Sequence, residues 1–593
     1  MKRIPPLPFL AAAILLAGLI ARFSPGPMPV WLLALEVILT VLALFVFGSI
    51  PYRLDKNALT FGAGMIVAAT FFTRWWPASV LREEWTARGL SALGEFVARH
   101  FLHFRALDGL IHLDTMLFII GLTFFVSAIS QSRLLETVAF GLLTRWRGRV
   151  FPTVGLLAGI VALASGILDG VSMIGLLIRT LVILLFWAKV KDRDVLFAVM
   201  MATVITTVSG MWLAYGEPPN LIMKANLHPL LTDGFFLRYC LPGALASYFL
   251  VLLRLRPALR DKVVDFRRLD VLDRHTADVR FLQADRHGDV VLPVEFIEEH
   301  RGEIGTHYPA VVERLHRGVP FGEALVNERV PRDTRLRLLG RFLSEDLAAT
   351  LDDYYVHVFG RNDHKADESA AVLDQRLEKM RRPRRTVQRW AGLSFLPFIG
   401  LLIWHAADHA VPLFFASWAG CATAFLAIAP RKKMRGLAGR EAWHETQEYL
   451  FLIPLFFSIS LLQKTDFFSH LGRGLQWGLE NGGLAAVAAA QFIGTGLLSA
   501  LLDNNVVADF AGRALRGFEL AVVHASAMAQ IAGYAVGGCL THIGSAQSVV
   551  AFAFIRKDIA PHFTPWDWFK TMGPFVLKLT ALLMAVILLE VLL

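Results

Sequence analysis

The sequence predicts an all-α polytopic membrane protein: two inverted repeats, each with a re-entrant helical hairpin and a broken helix, plus a soluble α or α+β insert. Three observations predict it. Of 593 residues, 55% are hydrophobic, with 44 Phe and 14 Trp, and windows of about 20 apolar residues, enough to cross a ~30 Å hydrocarbon core, recur along the chain. Polar residues interrupt several of these windows, most visibly Asp503-Asn504-Asn505 within GTGLLSALLDNNVVADF (494–510). Basic residues gather in the short loops between apolar spans. That loop pattern assigns the net charge of +10 to membrane orientation rather than to nucleic acid. Composition excludes a soluble protein.

Taken in order, Lys2 and Arg3 precede an apolar run from Leu7 to Ile20 that is followed by no small-residue cleavage site, so it reads as a retained first helix. With a second helix over about 28–50 it forms an N-terminal hairpin, residues 1–57. The lone Glu36 of that second helix is expected to face the bundle and pair with a neighbour. The first repeat, 58–256, has spans at about 58–73 and 113–131, separated by an amphipathic stretch (80–106) that should lie along the membrane interface. The segment 151–187 is apolar except for Ser165, Asp169, Ser172 and Arg179, and basic loops flank it at 145–149 and 189–193. Both ends therefore belong on one side, and the segment should dip in and return with Asp169 at its tip. The next span runs into Tyr215-Gly216-Glu217-Pro218-Pro219-Asn220, through which no helix continues. A last span, about 236–253, closes the repeat.

Residues 257–389 are rich in Asp, Arg and His and carry only short apolar runs, which marks a soluble insert. Its basic end, Arg381-Arg382-Pro383-Arg384-Arg385, puts it in the cytoplasm with the N-terminus. It carries no phosphate loop, zinc spacing or nucleophile motif. The second repeat, 390–593, has spans at about 390–405, 411–429 and 450–462, with an amphipathic stretch at 440–449. The central element at 483–518 follows, then a span at 519–537, a polar interruption from Cys539 to Ser545, and spans at 546–555 and 572–592. Cys240, Cys421 and Cys539 lie in or beside apolar runs without metal spacing and read as small core residues.

The halves can be superposed. Ser165-Gly-Ile-Leu-Asp169 matches Ser499-Ala-Leu-Leu-Asp503 at an offset of 334 (503 − 169), Gln131 matches Gln463 at 332, and Gly216 matches Gly544 at 328. Loops 145–149 and 189–193 are basic and their counterparts near 477–481 and 523–527 are not, whereas Arg431-Lys432-Lys433 and Arg556-Lys557 reverse the bias. The repeats should therefore cross the membrane in opposite senses, as in secondary transporters whose discontinuous helices meet near the midplane.

Four interruptions would then converge: two tips (Asp169; Asp503-Asn504-Asn505) and two opened helices (Glu217 to Asn220; Thr541 to Ser545). Unwound carbonyls and carboxylates suit Na⁺ or H⁺, and helix N-termini suit anions. Asp169 and Asp503 are the expected exchange sites and candidate Na⁺ ligands, with Ser165, Glu217, Asn220, Ser499, Asn504, Asn505, Thr541 and Ser545 completing the binding set and His542 as a further titrating group. Against this, Asp169 could be only a helix cap at a kink. Arg179 and Arg513, also 334 apart, could pair with the tip carboxylates and favour an anion. Asp509 reads as a supporting residue, and His405, Asp408 and His409, despite metal-like helical spacing, read as surface residues beside a loop.

GLLSALLDNNVVADF (496–510) followed by GGCLTHIGSAQSVVAFA (537–553) resembles the ion transporter superfamily, above all its NhaD-type sodium/proton antiporter and arsenite permease branch. There a Ser-Ala-x-x-Asp-Asn tip precedes a Gly-Gly-x-Leu-x-x-Ile-Gly-Ser-Ala segment. SGILDG (165–170) and GEPPNLIM (216–223) resemble the partner motifs more distantly, and the similarity spans roughly 113–253 and 450–593. The resemblance implies a homodimer with a scaffold and a moving transport part, in a fold shared with citrate and dicarboxylate carriers. Two departures stand out: Asp169-Gly170 where the antiporters tend to have Asp-Asn, and an extra Asn505 after Asp503-Asn504.

The expected function is a Na⁺/H⁺-type cation antiporter working by alternating access in the bacterial inner membrane. The alternatives are a Na⁺- or H⁺-coupled carrier of a small anion, carboxylate or oxyanion, and a membrane sensor signalling through the 257–389 insert. No nucleophile–base pair or metal motif suggests an enzyme. The expected partners are the lipid bilayer and a small ion or anion, with Na⁺ in place of any cofactor.

Overall fold

Prolines, glycines and polar turns cut the apolar segments into unequal pieces, and those pieces define the architecture. The computed structural model describes residues 6–23, 30–49, 55–74, 103–264 and 386–592 except 133, 169, 189, 409 and 561, with scattered positions at 89–98 and parts of 283–357. The molecule is almost entirely helical. Among the described residues the exception is a two-residue antiparallel pair in the insert, Gln283–Ala284 with Val290–Val291. Six helices among the described residues are long and apolar enough to cross a membrane: Leu113–Ser132, Asp233–Leu259, Thr386–Ala407, Phe467–Leu501, Leu520–Leu540 and Pro565–Leu592. Large side chains such as Leu396, Ile403, Leu497 and Leu577 are exposed on such helices, as hydrocarbon-facing residues are. The interfacial reading of 80–106 falls mostly outside the described residues, as do Asp169, His409 and Arg381–Arg385.

The first hairpin is Val150–Ser165 followed by Gly170–Trp187, packed on each other. Val150–Ser165 has 16 residues, roughly 24 Å of helix, and stops short of a ~30 Å core. The first broken helix is Asp192–Thr207, an irregular stretch to Glu217, then Pro218–Asn226. Pro218 and Pro219 occupy the first turn of the second piece, where a missing N–H costs nothing. In the second half, Phe467–Leu501 bends at Gly483, whose φ of 73° suits glycine, and turns through 502–503 into Asn504–Ala514. This is the second hairpin. The second broken helix is Leu520–Leu540, an opening at 541–545, then Ala546–Phe554.

The halves interlock. Gly170–Trp187 of the first hairpin packs on Ala546–Phe554, and Asn504–Ala514 of the second hairpin packs on Pro218–Asn226. Each hairpin thus lies against the short helix of the other half's broken helix. Phe467–Leu501 crosses Leu520–Leu540 where Gly496 meets Gly533 and Gly537.

Outside this unit, Leu113–Ser132 packs on Phe414–Ile428, with Phe118, Phe125 and Phe398 stacked between helices. Val30–Ser49 and Lys56–Arg74 join Leu452–Gln463 through a second apolar cluster, and Pro6–Phe23 packs on Lys56–Arg74. Glu36 faces inward as expected, accepting a hydrogen bond from Thr70 Oγ1 (2.9 Å). The insert has its own small core around Val311, Phe321, Leu325 and Leu338, and Arg335 holds Asp352 through two bonds (2.6 and 2.8 Å).

Candidate functional site

Backbone hydrogen bonds close the first tip on the first break. Gly216 N–H donates to Gly166 O and Gly170 N–H donates to Gly216 O, both at 3.0 Å. A β-carbon on Gly216 would collide with the carbonyl oxygens of Ser165 and Leu168, so only glycine allows this approach. Ser165 Oγ donates to Thr206 O (2.7 Å) and is fully buried.

The second tip closes through side chains that bond backbone carbonyls. Ser499 Oγ donates to Tyr534 O (2.8 Å) and Thr541 Oγ1 donates to Ala500 O (2.7 Å). Asn504, with its amide nitrogen facing acceptors, donates to Gly544 O (2.9 Å) and touches Ser499 Oγ. Gly538 is wedged between Asn504 and Ser545. Ser545 caps Ala546–Phe554 by accepting from Ser548 N–H (3.2 Å). Serine 165 on carbonyl 206 and serine 499 on carbonyl 534 are the same bond at the offsets found in the sequence, 334 (499 − 165) and 328 (534 − 206).

Two side-chain bridges join the halves beside these tips. Gln547 Nε2 donates to Glu217 Oε1 and Oε2 (2.8 and 3.1 Å). Tyr534 O–H donates to Asn220 Oδ1 (2.5 Å), deep in the interior. Gly170 abuts both Glu217 and Gln547, leaving no room for a β-carbon. The starts of four helices, at Gly170, Pro218, Asn504 and Ala546, therefore converge on one polar centre of amides, hydroxyls and the buried Glu217 carboxylate. Helix starts present N–H groups without intrahelical partners and the positive end of the helix dipole.

Of the residues picked from sequence, the structure brings together Ser165, Glu217, Asn220, Ser499, Asn504, Thr541 and Ser545. Asp169 lies outside the described residues. Asp503 is half-buried and caps Asn504–Ala514, its Oδ1 accepting from Asn505 N–H (2.9 Å) and Asn505 Nδ2 (2.8 Å). Asn505 Oδ1 is buried without a hydrogen-bond partner. His542 packs at a tilt against the Phe552 ring, centroids 4.5 Å apart.

The pairing of Arg513 with a tip carboxylate is corrected. Arg513 turns instead to Asp509, one turn earlier on its own helix, at 2.7 Å with both side chains buried. Arg179 is exposed. Around Asp509 the structure adds His112 (3.3 Å) and Asn226 (2.7 Å), which tie the second hairpin to the start of Leu113–Ser132 and to the end of the first broken helix. Sequence reasoning missed Gln547 and Tyr534. Gln547 carried a signal, as a polar residue directly after an opened helix; Tyr534 carried none. His405 bonds Val411 O (2.7 Å), and among the described residues no cluster of His, Cys, Asp and Glu could hold a metal.

Residues 103–517 match the sequence profile of the citrate transporters. The chain belongs to that family. The match covers the first hairpin, the first broken helix, the insert and the second hairpin, and stops before the second broken helix, which the fold packs onto them. Membership places the protein among transporters, not enzymes. No curated protein matches the chain. Among matching solved structures is the YdaH transporter of Alcanivorax borkumensis, noted for an unusual topology. The two are 15% identical over 95% of this chain and 98% of that one, with a TM-score of 0.43.

Proposed function

We propose that this protein is a secondary active transporter of a small polycarboxylate, with citrate as the first substrate to test. The observation that carries the reading is the convergence of four helix starts on one polar centre, in a chain of the citrate transporter family. Partial positive charge from helix N-termini, with N–H and amide donors at Asn504, Gln547 and Asn220, suits carboxylate oxygens better than it suits a lone cation. This replaces cation antiport as the preferred reading.

The cation is recast as the coupling ion. Asp503 with the orphaned carbonyl of Asn505 offers oxygen ligands for Na⁺ at the second tip, and Asp169 is its counterpart by sequence. The reversed loop charges support oppositely oriented halves, with the N-terminus and insert cytoplasmic in a bacterial inner membrane. Alternating access would come from movement of the interlocked hairpin unit against the Leu113–Ser132/Phe414–Ile428 part, in a homodimer.

Purified protein in proteoliposomes tests the reading. Saturable labelled-citrate counterflow, with net uptake driven by a Na⁺ or proton gradient, is expected. Na⁺-driven proton flux that ignores citrate would restore the antiporter.

A further inference from the structure

Outside the converged helix starts, the first broken helix carries a buried cation. Lys224 is 7% exposed and Tyr215 4%. Lys224 Nζ donates to Asp233 Oδ1 (2.6 Å) and to Tyr215 Oη (2.9 Å), and Tyr215 O–H donates to Asp233 Oδ2 (2.7 Å). The ammonium also sits over the Tyr215 ring, 4.5 Å from its centroid. Lysine and tyrosine thus hold the two oxygens of one carboxylate between them. The Asp233 side chain is 24% exposed, against 9% for that of Lys224, so the carboxylate lies on the outer side and the ammonium on the inner.

Position ties this group to the transport site. Lys224 is four residues after Asn220 on Pro218–Asn226, so both project from one face about 6 Å apart along the axis. Tyr215 immediately precedes the Gly216-Glu217 break. At the matching positions of the second half, 328 residues on (543 − 215; 552 − 224), stand Ile543 and Phe552. The shared architecture therefore does not require the triad. The bonds at the four helix starts come from neutral donors, whereas a polycarboxylate brings several negative charges, and a flexible ammonium is the side chain that can turn to meet one of them.

We propose that Lys224, with Tyr215, binds one carboxylate of the transported anion, and that Asp233 is the internal carboxylate which takes the anion's place when the carrier crosses the membrane without cargo. This rests on the polycarboxylate reading above. Exchange of one carboxylate for another keeps the ammonium paired throughout, which avoids leaving a buried charge alone.

The test uses the full chain in proteoliposomes with labelled citrate, comparing wild type, Lys224→Gln, Lys224→Arg, Asp233→Asn and the double variant Lys224→Met/Asp233→Leu. Loss of a charge-assisted contact predicts a citrate KM raised about 10- to 100-fold in Lys224→Gln, with Lys224→Arg within a few-fold of wild type. Asp233→Asn should lower the KM, slow net uptake and leave citrate–citrate exchange intact, because only the unloaded return step loses its partner. The double variant should keep the high KM. If the pair is only a brace, the apolar double variant returns to the wild-type KM and Asp233→Asn slows exchange and net uptake together; either result overturns the proposal. Unchanged kinetics in Lys224→Gln overturn it too. Failure of wild type to move any carboxylate would overturn the underlying reading instead, and is seen before any variant is made.

Discussion

Asp509 shows how much one residue can decide. Its Oδ1 accepts from Arg513 Nε and Asn226 Nδ2, with His112 Nε2 beside it at 3.3 Å, and the side chain is wholly buried. Removing one partner from a buried ion pair strands the other charge, which costs about 3–5 kcal/mol, whereas replacing both with apolar groups of similar volume costs far less. Asp509→Asn should therefore lower the melting temperature in detergent sharply, and Asp509→Leu/Arg513→Met should recover most of the loss. Equal losses in both variants would mean that packing, not charge, holds the site. At this scale the sequence marked polar residues inside apolar runs and so found Glu217, Asn220, Ser499 and Asn504. It could not assign their partners. Arg513 lies ten residues from Asp503 and four from Asp509, and helical spacing rather than repeat symmetry settled the pairing.

Among elements, close approach of backbones sets the geometry. A β-carbon on Gly537 would meet the carbonyl of Gly496 on the crossing helix, and one on Gly216 would meet the first tip. Gly216→Ala should leave insertion and yield near wild type while suppressing transport, since it pushes a tip away from its break and leaves the spans alone. Flux measured against the amount of folded protein checks this; unimpaired flux would show that the tip need not close. The pieces were legible because Pro218-Pro219 and the Asp503-Asn504-Asn505 run forbid or disfavour a continuous helix by local chemistry. The bend at Gly483 was legible for the same reason: it follows Glu480-Asn481-Gly482, a turn-forming run, and the sequence starts the central element at 483.

For the whole molecule, the question is whether the insert takes part in transport. Its described helices enclose a core of their own. Replacing 265–385 with a short Gly/Ser linker should keep citrate counterflow within a few-fold of wild type. Abolished flux in a folded, monodisperse variant would make the insert part of the transport machinery or support the sensor reading.

What the sequence determined by itself was membrane residence, the places where helices open, the polar character of those openings and their repetition at 328–334 residues. All of these are set by composition and local backbone chemistry. The tertiary structure decided which polar groups meet: Gln547 with Glu217 across 330 residues and Tyr534 with Asn220 across 314. It also decided that Asp503 caps its helix and that four helix starts face one centre. Such contacts depend on how the halves interlock, and no local pattern encodes a partner that far along the chain.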